Sequence, residues 1–221
     1  MFRLKILLTG LGGFLAFTGI QEFRVSRGTT VEPLAVELSS LESGTAAANN
    51  HVLIGEHVAV YGGSVYEYSQ DDNSSRAPGA HTKVRVTYYP VISEDHTFFE
   101  QLNKLSEKHG TEDAIPDADY PTIDDFKVLI KTKRFKTIGS IPDGLSFQDR
   151  VQGLIVTSID GLDREEKQLI HESFPNTDVE NIIMIMEGRE PASLGKSLGM
   201  CAGGSVMALL GVFSLFFLRR S

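Results

Sequence analysis

Cysteine is almost absent from this chain, and its scarcity limits the kinds of site that the protein can contain. The only cysteine among the 221 residues is Cys201, which lies in a hydrophobic segment near the C-terminus. A disulfide framework and a cysteine-ligated metal site are therefore excluded from residues 21–193. The absence does not assign a compartment, because a domain without cysteine is compatible with either side of a membrane.

Positive charge is also scarce in the middle of the chain. Residues 21–193 contain all 29 acidic side chains but only 16 of the 21 Lys and Arg, so 16 positive charges against 29 negative ones leave a net charge of −13. Nucleic-acid binding depends on basic side chains that neutralise phosphates, and an acidic domain is repelled instead. We therefore expect no nucleic-acid partner.

Hydrophobic segments stand at both ends of the chain. Ser197 to Leu218 is a run of 22 uncharged, mostly apolar residues. As a helix with a rise of about 1.5 Å per residue it is about 33 Å long, enough to cross a hydrocarbon core of about 30 Å. A shorter apolar run, Ile6 to Ile20, is compatible with a signal peptide or an uncleaved anchor. No clean small-x-small cleavage site follows it, which favours retention.

These segments divide the chain into three predicted parts: an N-terminal anchor or signal segment (1–20), an acidic soluble domain (21–193) and a C-terminal transmembrane helix with a basic end (194–221). Four basic residues flank the outer ends of the segments and four flank the inner ends, so their number does not orient the protein. A long loop crosses a membrane largely regardless of its charge. We therefore expect both termini in the cytoplasm and the domain outside it.

Small residues recur at helical spacing in both hydrophobic segments. Gly195, Gly199 and Gly203 form a Gly-xxx-Gly-xxx-Gly run, and Gly12 with Ala16 makes a matching pair. Small residues allow the close backbone approach by which helices associate in lipid. Glycine is also common in membrane helices for other reasons, so helix pairing is one of two interpretations. If it holds, the partner is the other helix, a second copy of the chain or another membrane protein.

The soluble part combines strand and helix patterns. β-branched and aromatic residues, with Gly and Pro as breaks, predict strands at residues 31–41, 51–60, 64–69, 83–92, 126–132, 154–159 and 179–187. The pair 51–60 and 64–69 is predicted to be joined by a tight turn. Pro90 predicts that the end of its strand lies at a sheet edge.

Two helices are predicted within the soluble part. One begins at Ser93, ends near His109 and is followed by Gly110; the other begins at a capping box formed by Asp163 and Glu166. The β-α-β order around the second helix predicts parallel strands, although an antiparallel pair is not excluded. The sequence thus predicts an α+β fold: a single mixed soluble domain flanked by two hydrophobic, transmembrane helices.

The nucleotide-binding and nucleophile motifs that the sequence suggests fail on inspection. Gly195 to Ser197 reads GKS, but a phosphate loop needs glycine at the position that Glu190 occupies. Gly62 to Ser64 reads GGS, but a nucleophile elbow needs glycine where Tyr66 stands. A tight turn is the better interpretation of the second motif.

Metal sites find little support in the sequence. On one straight strand His51 and His57 would lie about 20 Å apart, too far for one zinc ion unless Gly55 breaks the strand. Two acidic loops contain clustered carboxylates of the kind that calcium prefers, but neither follows the helix-loop-helix pattern. Those loops hold Asp71, Asp72 and Asn73, and Asp117, Asp119, Asp124 and Asp125. We expect no metal and no cofactor.

One basic cluster interrupts the acidic domain. It consists of Lys127, Lys131, Lys133, Arg134 and Lys136. A solvated strand face is the default interpretation, because three of the five share strand parity. The alternative is a contact surface for anionic lipid headgroups, an acidic partner or the acidic loop just upstream.

Function is therefore predicted from architecture. The sequence favours a membrane-anchored protein that presents an extracytoplasmic domain without catalysis, as a scaffold, an assembly factor or a subunit of a membrane complex. The alternative is a membrane-tethered hydrolase or ligand-binding enzyme whose site is assembled from scattered His, Asp and Ser residues, with His51, His57 and His96 as candidates. Such sites form in space rather than in sequence, so a missing motif does not exclude them.

Overall fold

The computed structural model describes residues 2–27, 29–69, 77–116, 118–157 and 161–217. Its elements are, in chain order, α1 (Phe2–Ser26), β1 (Leu34–Val36), α2 (Leu38–Glu42), β2 (His51–Ile54), β3 (His57–Val60), β4 (Val65–Tyr68), β5 (Val84–Ile92), α3 (Thr97–His109), β6 (Val128–Thr132), β7 (Leu145–Gln148), β8 (Val151–Ile155), α4 (Arg164–Ser173), β9 (Ile183–Glu187) and α5 (Leu194–Phe217). Short 3-10 turns occupy Tyr61–Gly63, Glu112–Ala114 and Ile138–Ser140.

The chain forms two compact units. The helical unit comprises Met1–Glu32, Asn49–His51 and Glu190–Ser221, and the α+β unit comprises Pro33–Ala48 and Val52–Arg189. A mixed α/β fold with long apolar helices at the two ends of the chain is therefore confirmed.

The helical unit is built from α1 and α5. Both helices are long and apolar enough to cross a membrane, over Lys5–Ser26 and Leu194–Leu215. Only 11% of the most apolar window of each helix is buried, which distinguishes the pair from core helices of a soluble protein. The first helix continues to Ser26 instead of ending near residue 20.

One curled sheet dominates the α+β unit. Its strand order is β1-β2-β8-β9-β6-β5-β3-β7, with β4 also paired to β5. Strands β2 and β3 are separated only by Gly55 and Glu56, and β7 and β8 only by Asp149 and Arg150. These four strands thus make one bent two-stranded ribbon, β2 beside β8 and β3 beside β7. Strand β8 also pairs with β9, and β3 also pairs with β5. The ribbon therefore joins both ends of the sheet formed by β9, β6 and β5 and curls it.

The core lies inside this curl. Side chains of the central strands there are fully or almost fully buried, including Val52, Ile54, Ala59, Tyr89, Val91, Val128, Ile130 and Ile185. Burial of one such aliphatic side chain stabilises the fold by about 1.5–3 kcal/mol relative to leaving it exposed. The short helix α2 contributes Leu38 and Leu41 to the same cluster.

Local signals locate α3 and α4 well. Helix α3 ends at His109, and Gly110 follows with a φ of +90°, a left-handed conformation that favours glycine. Helix α4 begins with the predicted capping box, in which Asp163 and Glu166 each bond the other's backbone N–H at 2.8 Å. The start of α3 differs from the prediction, because His96 and not Ser93 accepts the backbone bond at the N-terminus. Ser93 instead donates to Glu42.

Two of the strand predictions near the N-terminus are wrong. The alternation at residues 31–41 gives only β1, and the chain then forms α2, whose Leu38 and Leu41 are buried at helical spacing. The segments 51–60 and 64–69 do not form a hairpin. Gly55 and Glu56 interrupt the first, and β4 pairs with β5 across a 3-10 turn at Tyr61–Gly63.

Pro90 does not mark a sheet edge. It lies in β5, opposite Leu129 of β6, in the middle of the sheet. On the other side of β5, pairing with β3 stops at Val91 and pairing with β4 begins at Tyr88. A proline lacks the N–H that a continuous ladder needs, and this gap between two neighbouring strands removes the need.

The expected parallel pair around α4 is antiparallel. Strand β9 runs antiparallel to β8 and parallel to β6. Gly153 of β8 lies opposite Glu187, and a Cβ on it would overlap the backbone of Met186. The close approach of these two backbones at Gly153 depends on that glycine.

Candidate functional site

The closest contact in the helical unit is a seam of small residues between α1 and α5. A Cβ placed on Gly12 would lie 2.8 Å from the Gly204 carbonyl oxygen, and one on Gly204 would lie 2.8 Å from the Gly12 carbonyl oxygen. Gly19 faces Cys201 in the same way, and Gly211 faces Thr9. The two backbones therefore approach each other antiparallel, at a distance that side chains on these glycines would prevent.

The seam has a heptad spacing. Contact positions in α1 are Thr9, Gly12, Ala16 and Gly19, and those in α5 are Cys201, Gly204, Ala208 and Gly211. The steps alternate between three and four residues, as in a heptad repeat, whose period of about 3.5 residues keeps one seam of two helices in contact. This period was the signal in the sequence that could have located the α5 side of the seam.

The small residues singled out from the sequence are divided by the structure. Gly12 and Ala16 lie in the seam, against Ala208 and Gly204. Gly195, Gly199 and Gly203 lie elsewhere on α5, where an added Cβ would meet nothing within 4 Å. The structure thus brings the first two together with α5 but leaves the glycine run of α5 on an open face.

Large apolar side chains cover the outside of both helices. On α1 and α5 they include Leu7, Phe14, Phe17, Val206, Leu209, Leu210 and Phe213, with exposed fractions between 57% and 68%. The helix pair therefore carries small residues inside and large apolar residues outside. This arrangement is the reverse of a soluble helical core and is suited to an apolar surrounding.

Two polar side chains of the helix pair lie against backbone carbonyls of the opposite helix. The Lys5 ammonium donates to the Ser214 carbonyl oxygen at 2.8 Å, near the N-terminal end of α1 and the C-terminal end of α5. The Cys201 thiol lies 3.7 Å from the Ala16 carbonyl oxygen. Contacts of this kind satisfy polar side chains without water.

The basic cluster of the α+β unit is not a uniform surface patch. Lys127, Lys133 and Lys136 are exposed, whereas Lys131 is half-buried with its ammonium 5.4 Å from the centre of the Tyr88 ring. Arg134 lies over the rings of Tyr89 and Phe135 and pairs with Glu187 at 3.4 Å. The exposed lysines are consistent with a solvated face.

Arg134 organises a polar group at the margin of the core. Its guanidinium donates to the Tyr61 hydroxyl and to Glu187. Burial raises the pKa of Tyr61 and, together with the Glu187 charge, that of Tyr89. Both phenols therefore stay protonated near neutral pH. The group satisfies the Tyr61 hydroxyl and Glu187 Oε1, while Glu187 Oε2 is buried without a hydrogen-bond partner among the described residues.

The three candidate histidines make mostly backbone contacts. His51 Nδ1 lies 3.3 Å from the Thr30 carbonyl oxygen, and His57 Nδ1 lies 2.8 Å from that of Gly55. His96 Nε2 lies 3.4 Å from Asp125 Oδ1, while its Nδ1 accepts the Phe98 N–H. With one ring nitrogen bound to backbone and the other to a carboxylate, His96 holds the start of α3.

Metal ligation finds no support in the part of the chain that the structure describes. No group of three or more His, Cys, Asp or Glu side chains is placed there to hold a metal ion. Asp124 accepts a bond from the Asn176 amide at 2.6 Å. Asp71, Asp72, Asn73 and Asp117 of the two acidic loops lie outside the described residues.

Several cavities open on the described part of the α+β unit, and two of them are considerably larger than the others we describe. The larger, about 710 Å³, is acidic and is lined by residues that include Glu37, Glu56, Glu94, Asp149 and Arg150. The second, about 490 Å³, is mostly apolar and is lined by Phe98, Tyr120, Pro121, Ile123, Leu145 and Phe174, with a rim of Gly62, Gly63 and Gly144.

The apolar cavity adjoins an exposed edge of the sheet. Leu145 lines the cavity and begins β7. Phe147, 72% exposed, lies on the same face of β7, and its ring centre is 6.5 Å from that of Phe99 at the start of α3. The cavity and strand β7 together form an apolar surface feature of the α+β unit. No protein-family model matches the chain, and no curated protein or solved structure is significantly similar to it.

Proposed function

We propose that this protein is anchored in a membrane by α1 and α5 and presents the α+β unit outside the cytoplasm, with both termini in the cytoplasm. It acts there without catalysis, as a scaffold, an assembly factor or a subunit of a membrane complex. Its partners are the lipid bilayer and, through the glycine-rich helices, another membrane protein or a second copy of the chain.

The distribution of side chains on the helix pair carries this proposal. Small residues fill the seam, and large apolar residues such as Phe14 and Leu209 face outward. In water this surface would expose far more apolar area than soluble proteins tolerate, whereas lipid solvates it. At about 1.5 Å per residue, the 25 residues of α1 and the 24 of α5 each extend beyond the thickness of a hydrocarbon core.

The contacts of the candidate histidines and of the buried tyrosines support a role without catalysis. His51 and His57 bond backbone carbonyls, and His96 uses both ring nitrogens to hold α3. The buried tyrosines near Arg134 remain protonated. These groups stabilise the fold rather than face a reacting substrate.

Membrane extraction of the full-length protein tests anchoring. We expect the protein to remain in the membrane pellet after alkaline carbonate treatment. A reporter enzyme that works only in the cytoplasm should be active when it is fused to either terminus. Replacement of Leu209 and Leu210 by Lys should release the C-terminal anchor. Recovery of the unaltered protein in the carbonate supernatant would refute the proposal. Activity of a terminal reporter that works only outside the cytoplasm would refute the orientation.

A further inference from the structure

Strand β7 offers an open edge for another strand. It stands at one end of the strand order, and within the described residues its only strand partner is β3. Its four residues, Leu-Ser-Phe-Gln, carry no charge. Natural edge strands are usually protected by charges, proline or a covering element, and an edge without them is a place where an extended peptide can pair.

An apolar cavity lies beside the beginning of this edge. Leu145 belongs to both, and Phe98 and Phe99 of α3 extend the apolar surface from the cavity to Phe147. The buried Phe174 ring closes the cavity against Gly63, where an added Cβ would overlap the ring. An extended segment along β7 could thus place an apolar side chain in the cavity.

The charged residues next to the cavity lining in the sequence are all acidic. No Lys or Arg stands within two residues of any residue that lines it. Exposed acidic residues adjoin the lining instead: Asp119 precedes Tyr120, Asp143 precedes Gly144 and Glu172 precedes Ser173. Glu112 accepts a bond from the Tyr120 hydroxyl at 2.7 Å. A partner that fits this rim must bring positive charge.

We propose that β7 and the apolar cavity form a docking site for an extended basic segment of a partner protein. The segment adds a strand to β7, inserts an apolar side chain into the cavity and places Lys or Arg beside Asp119, Asp143 and Glu172. This inference rests on the proposed function, since it gives the chemistry of the partner that a non-catalytic scaffold binds.

Fluorescence anisotropy with synthetic peptides tests the site on the full-length protein in detergent micelles. The probe is the labelled peptide KVKFKVK, and its counterparts are EVEFEVE and a KVKFKVK peptide N-methylated at alternate amides along one edge. We expect the basic peptide to bind at least tenfold more tightly than either counterpart, because one lacks the complementary charge and the other lacks the donors for strand pairing. Equal binding of either counterpart would overturn the proposal.

Variants of the protein locate the site. Phe147→Ser should weaken binding of KVKFKVK at least fivefold, and the double change Asp143→Asn with Glu172→Gln about threefold or more. Leu34→Ser, a similar change at an exposed leucine of β1, should leave affinity within twofold and is the matched control. Unchanged binding to the Phe147→Ser protein would refute the site.

A second copy of the chain is the competing occupant of this surface. Native mass spectrometry without peptide distinguishes it, since a dimer that Phe147→Ser dissociates would assign the edge to self-association and overturn the proposal. Carbonate extraction is measured on the same preparations. Loss of peptide binding with intact membrane anchoring refutes the docking site alone.

Discussion

Two adjacent glycines of α5 provide the sharpest test of the helix seam. A Cβ on Gly204 would lie 2.8 Å from the Gly12 carbonyl oxygen and 2.9 Å from the Ala16 Cα, whereas a Cβ on Gly203 would meet nothing within 4 Å. Gly204→Leu and Gly203→Leu add the same atoms to the same helix. Only the first adds them between the helices.

The expected cost of Gly204→Leu follows from the crowding. Overpacking a well-packed contact costs about 1–3 kcal/mol, which changes an association equilibrium about 5- to 150-fold. Because lipid is as apolar as the helices, pairing in a membrane depends on packing and gains little from hydrophobic burial. The loss at Gly204 therefore has no compensation, and Gly203→Leu should leave pairing nearly unchanged.

Disulfide formation with the native cysteine measures the pairing. The Cys201 thiol lies 3.7 Å from the Ala16 carbonyl oxygen, so Ala16→Cys brings a second thiol to the same level of the seam. Oxidation in membranes should give a fast-migrating, internally cross-linked monomer in the Ala16→Cys protein and in its Gly203→Leu derivative. We expect at least fivefold less cross-linking after Gly204→Leu. Equal cross-linking in both derivatives would refute the seam, and a cross-linked dimer would assign it to two copies.

Three further predictions concern the stability of the α+β unit, measured by urea unfolding of the solubilised protein followed by tyrosine fluorescence. Gly63→Ala should destabilise the unit by about 1–3 kcal/mol because the added Cβ overlaps the Phe174 ring. The control Gly62→Ala, whose Cβ has contacts no closer than 3.8 Å, should change stability by less than about 0.5 kcal/mol. Equal effects of the two changes would contradict the packing of Phe174 against Gly63. Arg134→Met should lower the free energy of unfolding by about 1–3 kcal/mol because it leaves Glu187 without its cation and Tyr61 without its donor. The control Lys133→Met changes an exposed neighbouring residue and should be nearly neutral. An Arg134→Met protein of unchanged stability would show that the Arg134–Glu187 pair contributes nothing. Burial lowers the pKa of His57 below its ordinary value of 6.5, so the unfolded chain binds more protons than the folded one, and stability should fall as the pH drops below about 6.5. His57→Gln should flatten the dependence of stability on pH. An unchanged dependence would refute the assignment to His57.

Elements with local signals were predictable from the sequence. The Asp163 and Glu166 capping box places α4, and Gly110 places the end of α3, because both signals are satisfied within one turn of chain. The alternation at residues 126–132 likewise predicts β6, whose Leu129 and Ile130 are buried. Such features need no knowledge of distant neighbours.

Features that depend on distant partners were not predictable. Pro90 is tolerated inside the sheet because β3 ends and β4 begins opposite it, and β9 runs antiparallel to β8 beside a glycine that lets their backbones approach. Gly12 and Ala16 of α1 lie in the seam, whereas the glycines that the sequence suggests on α5 lie on another face. The α5 glycines spaced four residues apart predict a contact on their own face of the helix. The contact in the structure instead follows the heptad through Gly204 and Ala208. The open edge of β7 likewise emerges only when the order of the strands is known.

The seam also has a consequence for biosynthesis, because its two halves are far apart in the sequence and are synthesised at different times. Ala16 is synthesised well before its contact Gly204, which follows 188 positions later. At roughly 5–20 residues per second, α1 waits about 10–40 s before α5 exists. During that interval its small-residue face has no partner within its own chain. The first helix of a neighbouring nascent chain presents the same face, so close spacing of ribosomes on one message favours pairing between copies over pairing within each.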